Sequence, residues 1–339
     1  MGRVPHNDQD LVAITDAMPH IVWLHDATGQ VSYFNQQWTA YTGDTLAATV
    51  ANGAASYVHA QDRDAIMGLF VRARETGERL EATYRLRRQD GVYRWHQARV
   101  VPFRGIFLGT AIDVHEQHLL QSERQYLIDA TRVLGTSLAL DKTLADVAKL
   151  LVPHVADWIG IDLLQPNGTL AQVAVAHIDP TKVELAHELR KRLPPKQSDP
   201  TGPYNVIRTG QPEMVREITD EMLVAGLPDP ELLAIYRRLG LRSAMTVPLH
   251  VRGRAIGTVA LVSAEGERLF EERDLVFANE LATRIAIAVD NARLFEDVTR
   301  ARQTAEAFAQ EILEQSKAVE ATVHQLRRER DEALGRPKG

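Results

Sequence analysis

A two-row heptad pattern near the C-terminal end constrains the fold of this chain more than any other sequence feature. Apolar residues recur every seven positions in one row, and a companion row runs four positions behind it. The rows alternate as the a and d positions of a coiled coil do, so they predict one long helix with a seam for a second helix. The seam residues are Ile287, Leu294, Ala301 and Phe308 in one row, and Asn291, Val298, Ala305, Ile312, Val319 and Leu326 in the other.

This helix is predicted to extend well beyond a globular core. About forty residues at 1.5 Å each give a rod of roughly 60 Å. Its seam predicts a homodimer, and Asn291 is a polar seam position of the kind that fixes register at a cost in stability. Pro337 cannot continue the helix. We therefore expect a coiled coil over residues 287–334 and a short tail over residues 335–339.

Length and charge narrow the class of protein. A chain of 339 residues is too long for one ordinary core, and it is 45% hydrophobic and 25% charged, as globular proteins are. A net charge of −6 argues against a nucleic-acid partner. The chain contains no apolar stretch of the roughly 18 residues that a membrane helix needs, and its first residues lack a signal-peptide core. We expect a cytoplasmic protein with no membrane partner.

The chain contains no cysteine, which removes several chemistries. Disulfides, thiolate metal sites, iron–sulfur clusters, cysteine nucleophiles and thioether-linked chromophores are all excluded. A reductase that works through catalytic cysteines is excluded for the same reason.

Residues 8–116 predict mixed α and β structure. Two alternating runs, IVWLH and VSYFN, flank a turn that contains Gly29, which is typical of a hairpin. A short helix over residues 35–41 should end at Gly43. Asp62 is predicted to cap the next helix, which should end at Gly77. That helix has one apolar face, made of Ile66, Leu69, Phe70 and Ala73.

A second hairpin and a closing strand complete this block. LEATYRLRRQ and VYRWHQARVVPFR flank Asp90-Gly91, a favoured two-residue turn. IFLGTAIDV supplies the last strand.

Five motifs occur in order within this block. They are D-x-x-G ending at Gly29, N-x-x-W at Trp38, Y-T-G at Gly43, V-H-x-x-D-R at Arg63 and Y-R-L-R-R-x-D-G-x-Y-R-W at Trp95. Residues 8–116, after an N-terminal tail over residues 1–7, therefore resemble a PAS sensor domain. PAS domains often end in Asp-Ile-Thr, whereas this chain has Asp-Val-His. The resemblance implies that Asp113 ties the last strand to the exit helix without the hydroxyl.

The PAS resemblance also implies a cavity between the sheet and the helices. Aromatic side chains expected near it are Trp23, Phe34, Trp38, Tyr41, Tyr57 and Trp95. The alternative is that these side chains are ordinary core. A small-molecule ligand of unknown identity can bind there, and we predict no cofactor. His59 lies in a V-H-x-x-D-R context common in PAS domains that lack haem.

The next segment, residues 117–136, predicts a helical linker. Leu120, Leu127 and Leu134 lie seven residues apart, which favours a parallel dimer seam. Asp141 is predicted to cap the following helix, KTLADVAKLLVPHV.

Residues 137–286 predict a second mixed domain. WIGIDLLQ and LAQVAVAH flank a Pro-Asn-Gly turn, a polar helix follows over residues 182–192, SAMTVPLH and AIGTVALVS form a further hairpin, and a long helix begins near Glu271. The motifs V-I-R-T-G-Q-P, L-G-L-R-S-A-M-x-V-P-L, F-x-x-x-D-L and A-V-D-N-A-R-L-F occur in this order. They resemble the GAF family, in the variety found upstream of bacterial histidine kinases and PP2C-type phosphatases.

No residue pattern supports catalysis or metal binding. His187 and His324 lie in strings similar to phosphoacceptor boxes, but the proline of the box is missing from both. His115 and His118 have zinc-ligand spacing with no third ligand in view. The cyclic-nucleotide signature of GAF domains is kept only at Phe270 and Asp274. We expect no enzyme activity and no metal.

We therefore predict an α+β protein in which two antiparallel-sheet sensor domains, PAS-like then GAF-like, are joined by helices and followed by a coiled coil. The resemblance implies a homodimeric sensory module of a bacterial two-component system that controls a histidine kinase. A PP2C-type phosphatase front end is one alternative. A free-standing coiled-coil protein that recruits a separate kinase or transcription regulator is another.

Overall fold

The computed structural model describes residues 8–26, 28–136, 139–227, 229–265 and 268–333. They divide into two compact units, here called the first and second domains, with the boundary between Arg124 and Gln125. The predicted tails over residues 1–7 and 335–339 lie outside the described residues. Among the described helices, none combines the length and the apolar character needed to cross a membrane.

The first domain contains a five-stranded antiparallel sheet in the order β2-β1-β5-β4-β3. Its elements are α1 Asp8–Asp16, β1 Ile21–His25, β2 Val31–Phe34, α2 Gln36–Thr42, α3 Leu46–Asn52, a 3₁₀ turn Ala54–Tyr57, α4 Ala60–Thr76, β3 Leu80–Arg87, β4 Tyr93–Phe103 and β5 Ile106–Asp113. The next helix, α5 His115–Leu134, begins in the first domain and ends in the second. Both predicted hairpins are present, and the predicted last strand, β5, lies at the centre of the sheet.

Alternation along the strands builds the core of this domain. Leu80, Tyr84 and Leu86 of β3 and Ala98 and Val100 of β4 are buried on one face. The central helices cover that face. The other face carries polar pairs such as Glu81 with Arg99, which lie opposite each other in register.

The helix ends in this domain partly differ from the prediction. Gly43 and Gly77 both end helices in the left-handed conformation, as expected. The predicted cap Asp62 is wrong, because α4 begins at Ala60 and His59 accepts the capping bond from Gln61. Asp62 does not cap the helix because its carboxylate is hydrogen-bonded to a residue distant in sequence.

The Asp62 carboxylate is instead held by Arg85 of β3, whose backbone N–H and guanidinium both donate to it. On the predicted apolar face of α4, Ile66 and Ala73 are buried, whereas Leu69 is 40% exposed.

The second domain contains a sheet in the order β7-β6-β10-β9-β8. Its elements are α6 Leu140–Leu151, β6 Trp158–Leu164, β7 Leu170–His177, α7 Pro180–Arg192, α8 Pro203–Thr209, β8 Glu213–Val215, α9 Asp220–Gly226, α10 Pro230–Leu239, β9 Ser243–Val251, β10 Arg254–Ser263 and α11 Glu272–Ala333. The predicted strands, α7 and the long helix are present. Asp141 does not cap α6, because the helix begins one residue earlier, at Leu140.

Both faces of the second sheet are buried. On one face, Ile159, Ile161 and Leu163 of β6 pack with α6 and with the first turns of α11. Trp158, on the alternate face, packs in a smaller cluster with Leu189 and with residues of α10. Beyond this core, α11 continues as an exposed helix. Its 62 residues at about 1.5 Å each extend over roughly 90 Å.

Candidate functional site

A cavity of about 450 Å³ lies in the first domain, between the sheet and the helices inserted after β2. Every strand of the sheet contributes to its wall. Residues that line it include Ile21, Trp23, His25, Phe34, Trp38, Val58, Met67, Phe70, Arg74, Tyr84, Leu86, Val100, Phe107 and Ala111. A mostly apolar enclosure of this size is typical of small-molecule sites.

Aromatic side chains build one wall. Phe34 and Trp38 stack with ring centroids 4.1 Å apart, and Trp38 Nε1 donates to Thr49 Oγ1 at 2.8 Å. Trp23 lies flat over Gly109, its partner across β1 and β5. A Cβ at position 109 would overlap the indole ring, so the ring can keep this position only with glycine at 109.

Polar groups gather where the β1–β2 turn meets α4. His25 Nδ1 lies 3.1 Å from the carbonyl of Gly29, so Nδ1 carries the proton and donates. Burial lowers the pKa of His25 below its usual value, although the Gly29 carbonyl opposes this. His25 is therefore neutral at pH 7, and its Nε2 is an acceptor. The Arg74 guanidinium lies against Gly29 on the same side.

The structure separates the six aromatic candidates into two groups. Trp23, Phe34 and Trp38 line the cavity. Tyr41, Tyr57 and Trp95 are not among its lining residues.

Each of the other three side chains has its own role. Tyr57 is fully buried behind Trp38 and donates its hydroxyl proton to Asp44. Tyr41 packs edge-on against His96. Trp95 lies on the opposite face of the sheet from the cavity.

On that outer face, the ring of Trp95 lies 5.1 Å from the Arg85 guanidinium and packs against His118, with the two ring planes tilted by 33°. Its neighbour His96 points inward and is buried. Burial also lowers the pKa of His96.

Sequence reasoning missed His25, Arg74 and Tyr84 as cavity residues. His25 shares the inward face of β1 with Trp23, and Tyr84 shares that of β3 with Leu86, so strand alternation could have found both. Nothing in the sequence links Arg74 to the turn at Gly29, since the contact depends on how α4 docks.

Asp113, the predicted coupling residue, connects the sheet to α5. Its carboxylate accepts from Arg94 Nε at 2.7 Å and from the backbone N–H of His115 at 2.9 Å. Partial burial alone would raise the pKa of Asp113, but these hydrogen bonds outweigh it and the pKa lies below its usual value. Arg94 also reaches Glu116 in the first turn of α5. The end of β5 is therefore held to the start of α5.

The linker leucines lie in different surroundings. Leu127 and Leu134 pack against the core of the second domain, whereas Leu120 is 66% exposed. Along α11, most of the apolar seam positions are exposed in the single chain: Ile287, Leu294, Val298, Phe308, Ile312, Val319 and Leu326. Ala301 and Ala305 lie in the same exposed stretch.

A polar pair is buried in the second domain. Asp162 on β6 accepts a hydrogen bond from Arg190 of α7 at 2.8 Å. Burial raises the pKa of Asp162, although Arg190 opposes the shift. Its cross-strand neighbour Gln172 has a buried Oε1 without a hydrogen-bond partner among the described residues.

The candidate histidines are scattered over the described part of the chain, and no group of three metal-ligating side chains forms there. His187 lies on α7 and His324 on the exposed part of α11.

Two family models match the chain. The one described as PAS fold matches residues 31–106, and the one described as GAF domain matches residues 136–289. The chain therefore contains a PAS domain followed by a GAF domain, two sensory domains typical of signal-transduction proteins.

Individual relatives match over parts of the chain. The peroxide stress-activated histidine kinase mak1 of Schizosaccharomyces pombe is 27% identical over 153 residues, which are 40% of this chain and 9% of that protein. The uncharacterized protein y4lL of Sinorhizobium fredii is 31% identical over 119 residues, 33% of this chain and 14% of that protein. The chain thus spans a small fraction of either relative's length.

Among solved structures, the chain is similar to the GAF domain of a phosphoenolpyruvate-protein phosphotransferase from Coxiella burnetii, with 17% identity and a TM-score of 0.39. The match includes 52% of this chain and 96% of that structure. The chain is also similar to the N-terminal domain of a diguanylate cyclase with PAS/PAC sensor from Marinobacter aquaeolei, with 23% identity and a TM-score of 0.27. That match includes 29% of this chain and 98% of that structure.

Proposed function

We propose that this chain is the sensory part of a bacterial two-component protein, in which the PAS cavity receives a small-molecule signal and a homodimeric helix passes it to an output such as a histidine kinase. The observation that carries the proposal is the path of β5. Phe107 and Ala111 of this strand line the cavity, and Asp113, two residues further, accepts from the first N–H of α5.

A ligand in the cavity acts on the exit helix through this strand. An occupant that displaces Ala111 also displaces Asp113, because the two residues belong to one central strand with pairing on both sides. The Arg94 and His115 hydrogen bonds then transfer the movement to α5. Packed strands and capped helices respond to such changes as discrete shifts.

The exposed part of α11 is proposed to deliver the signal. Apolar side chains such as Ile312 and Val319 remain in water in the single chain, at coiled-coil spacing. A second copy of α11 would bury these side chains in a coiled coil. A change in the register or pitch of the two helices would then transmit the signal to the output domain. The curated relative named as a histidine kinase supports the choice of output.

The absence of cysteine provides a direct test of the dimer. We expect Ile312→Cys to form an intermolecular disulfide readily under mild oxidation, because seam positions face each other in a parallel pair. Gln310→Cys, on the outside of the same helical turn, is the matched control and should cross-link much more slowly. Equal rates at the two positions, with a monomer by light scattering, would contradict the proposal.

The same reporter tests the coupling. In the Ile312→Cys background, Asp113→Asn weakens the Arg94 ion pair while keeping the size of the side chain. We expect the cross-linking rate at position 312 to change. Asp64→Asn, an exposed substitution on α4, is the control. An unchanged rate in Asp113→Asn would separate β5 from the output and overturn the coupling route.

A further inference from the structure

We propose that the PAS cavity takes an apolar carboxylate, with its anionic end on Arg74 at the β1–β2 turn and a second hydrogen-bonding group at Tyr84. This inference rests on the proposed function in one respect, namely that the cavity is the input site. It adds the chemical class of the signal.

The charges around the cavity favour an anion. Arg74, an exposed residue, is the one cation among the described lining residues, and no carboxylate is among them. Arg74 makes no hydrogen bond or ion pair with any other described residue, although its guanidinium lies against the turn at Gly29. A guanidinium is a planar fork that matches a carboxylate with two parallel hydrogen bonds. His25 beside it is neutral and adds no second positive charge.

The tyrosine provides an independent observation. Tyr84 is 6% exposed, lines the cavity and forms no hydrogen bond with any other described residue. Burial raises the pKa of its hydroxyl, so the group stays protonated. A tyrosine hydroxyl on the cavity wall without a protein partner is available to donate to, or accept from, a polar group of an occupant.

The remaining wall selects an apolar body. Trp23, Phe34, Met67, Phe70 and Val100 present carbon to the cavity. The other polar lining groups are already engaged or lie at the turn: Thr49 accepts from Trp38, and Thr28 donates to Asp26. A sugar or a nucleotide would leave most of its own polar groups unpaired in such a space. An aliphatic or aromatic acid would not.

The test is a binding series on the full chain with decanoate, 1-decanol and decyltrimethylammonium. Trp23 and Trp38 line the cavity, so tryptophan fluorescence reports binding, and calorimetry confirms it. We expect decanoate to bind more tightly than 1-decanol, and the cation to bind most weakly. Arg74→Gln should weaken decanoate by roughly tenfold and leave 1-decanol unchanged. Arg72→Gln, exposed on the same helix and outside the cavity, should change neither.

A second pair of probes tests the tyrosine. ω-Hydroxydecanoate carries a hydroxyl at the end remote from its carboxylate. It should gain affinity over decanoate in the natural chain, and Tyr84→Phe should abolish that gain while leaving decanoate itself unchanged. Tyr84→Phe removes a single oxygen and keeps the ring, so the core remains filled.

The outcomes separate this inference from the proposed function. If decanoate and 1-decanol bind equally and Arg74→Gln has no effect, the carboxylate is overturned while an apolar signal still enters the cavity. If none of the three probes binds, the apolar carboxylate is overturned as a class. The cysteine cross-linking experiments on α11 use no ligand, so they test the homodimer and the coupling route of the proposed function independently of both results.

Discussion

The PAS and GAF sheets have the same strand order but use it differently. Counted from the first strand of each domain, both run 2-1-5-4-3. In the PAS domain, helices inserted between the second and third strands cover one face and leave a cavity of about 450 Å³. In the GAF domain, the corresponding face is filled by Trp158 of β6, by Leu189 of α7, which follows the second strand, and by Leu232 and Leu239 of α10, which follows the third.

The opposite faces differ as well. The outer face of the PAS sheet carries the Glu81–Arg99 ion pair and Trp95, which packs against His118. The corresponding GAF face is the main core, where α6 and α11 bury Ile159 and Leu261 completely or nearly so. The same topology thus yields a hollow domain and a filled one. We infer that the PAS domain, which contains the cavity, receives the signal. The GAF domain, whose core is filled, anchors the first turns of α11.

The largest expected effect tests the filled domain. Leu261→Ala should lower the free energy of unfolding of the GAF domain by about 4 kcal/mol, because Leu261 is fully buried and its neighbours cannot collapse into the void. Hydrogen exchange read by mass spectrometry follows each domain separately. Leu261→Met conserves volume and should cost far less. A loss near 1 kcal/mol would mean that this core is loosely packed.

The matched change in the hollow domain should cost about half as much. Leu86 is 2% exposed and also lies on a strand, but it lines the cavity, so part of its surface already lacks packing partners. Leu86→Ala should therefore destabilise the PAS domain by about 2 kcal/mol, close to the transfer contribution alone. The same exchange experiment measures it. Equal losses for Leu86→Ala and Leu261→Ala would remove the distinction between the domains.

A smaller effect is expected when the cavity wall is pushed inward. In Gly109→Ala the new methyl group meets the indole of Trp23, which must move toward the cavity. We expect a loss of about 1–2 kcal/mol, moderated because the ring has space to enter. Gly160→Ala is the control, since a Cβ there meets nothing within 4 Å. A crystal structure of Gly109→Ala with Trp23 unmoved would contradict this explanation.

Local features of the fold were predictable, and long-range ones were not. The hairpins and the helix ends at Gly43 and Gly77 depend on a few adjacent residues. The predicted caps Asp62 and Asp141 were wrong because a capping residue can be assigned only once the first residue of the helix is known. In addition, the Asp62 carboxylate accepts hydrogen bonds from Arg85, which is distant in sequence.

Strand parity explains the misplaced tryptophan. Trp95 and His96 are adjacent on β4, so only one of them can face the core. Ala98 and Val100 are buried, and His96 shares their parity. Counting from those small apolar residues would have placed Trp95 outside, against the general preference of tryptophan for burial. The Arg74 contact had no such local sign, because it depends on the docking of a helix.

The smallest expected effect is a pair of opposite pH dependences. Asp113 in the PAS domain and Asp162 in the GAF domain each pair with an arginine. Hydrogen bonds from Arg94 and His115 prevail at Asp113 over its partial burial, and its pKa is lowered. At Asp162, burial prevails over Arg190, and its pKa is raised. An Asp–Arg pair is thus accompanied by a lowered aspartate pKa in the PAS domain and by a raised one in the GAF domain.

Asp113 binds its proton less tightly in the folded chain, so its contribution to stability is present above the ordinary carboxyl pKa of about 4 and is lost as the pH falls through its lower folded pKa. Asp162 binds its proton more tightly when folded. Its contribution is therefore most favourable at low pH and declines as the pH rises from about 4 through its raised folded pKa. Hydrogen exchange across this range, compared between the natural chain and Asp113→Asn or Asp162→Asn, isolates each contribution by difference. We expect the two difference curves to slope in opposite directions with pH. If both curves sloped in the same direction, the ion pair with Arg190 would lower the pKa of Asp162, as the hydrogen bonds from Arg94 and His115 lower that of Asp113. The surroundings of Asp162 in the GAF domain would then be more hydrated than the packing indicates.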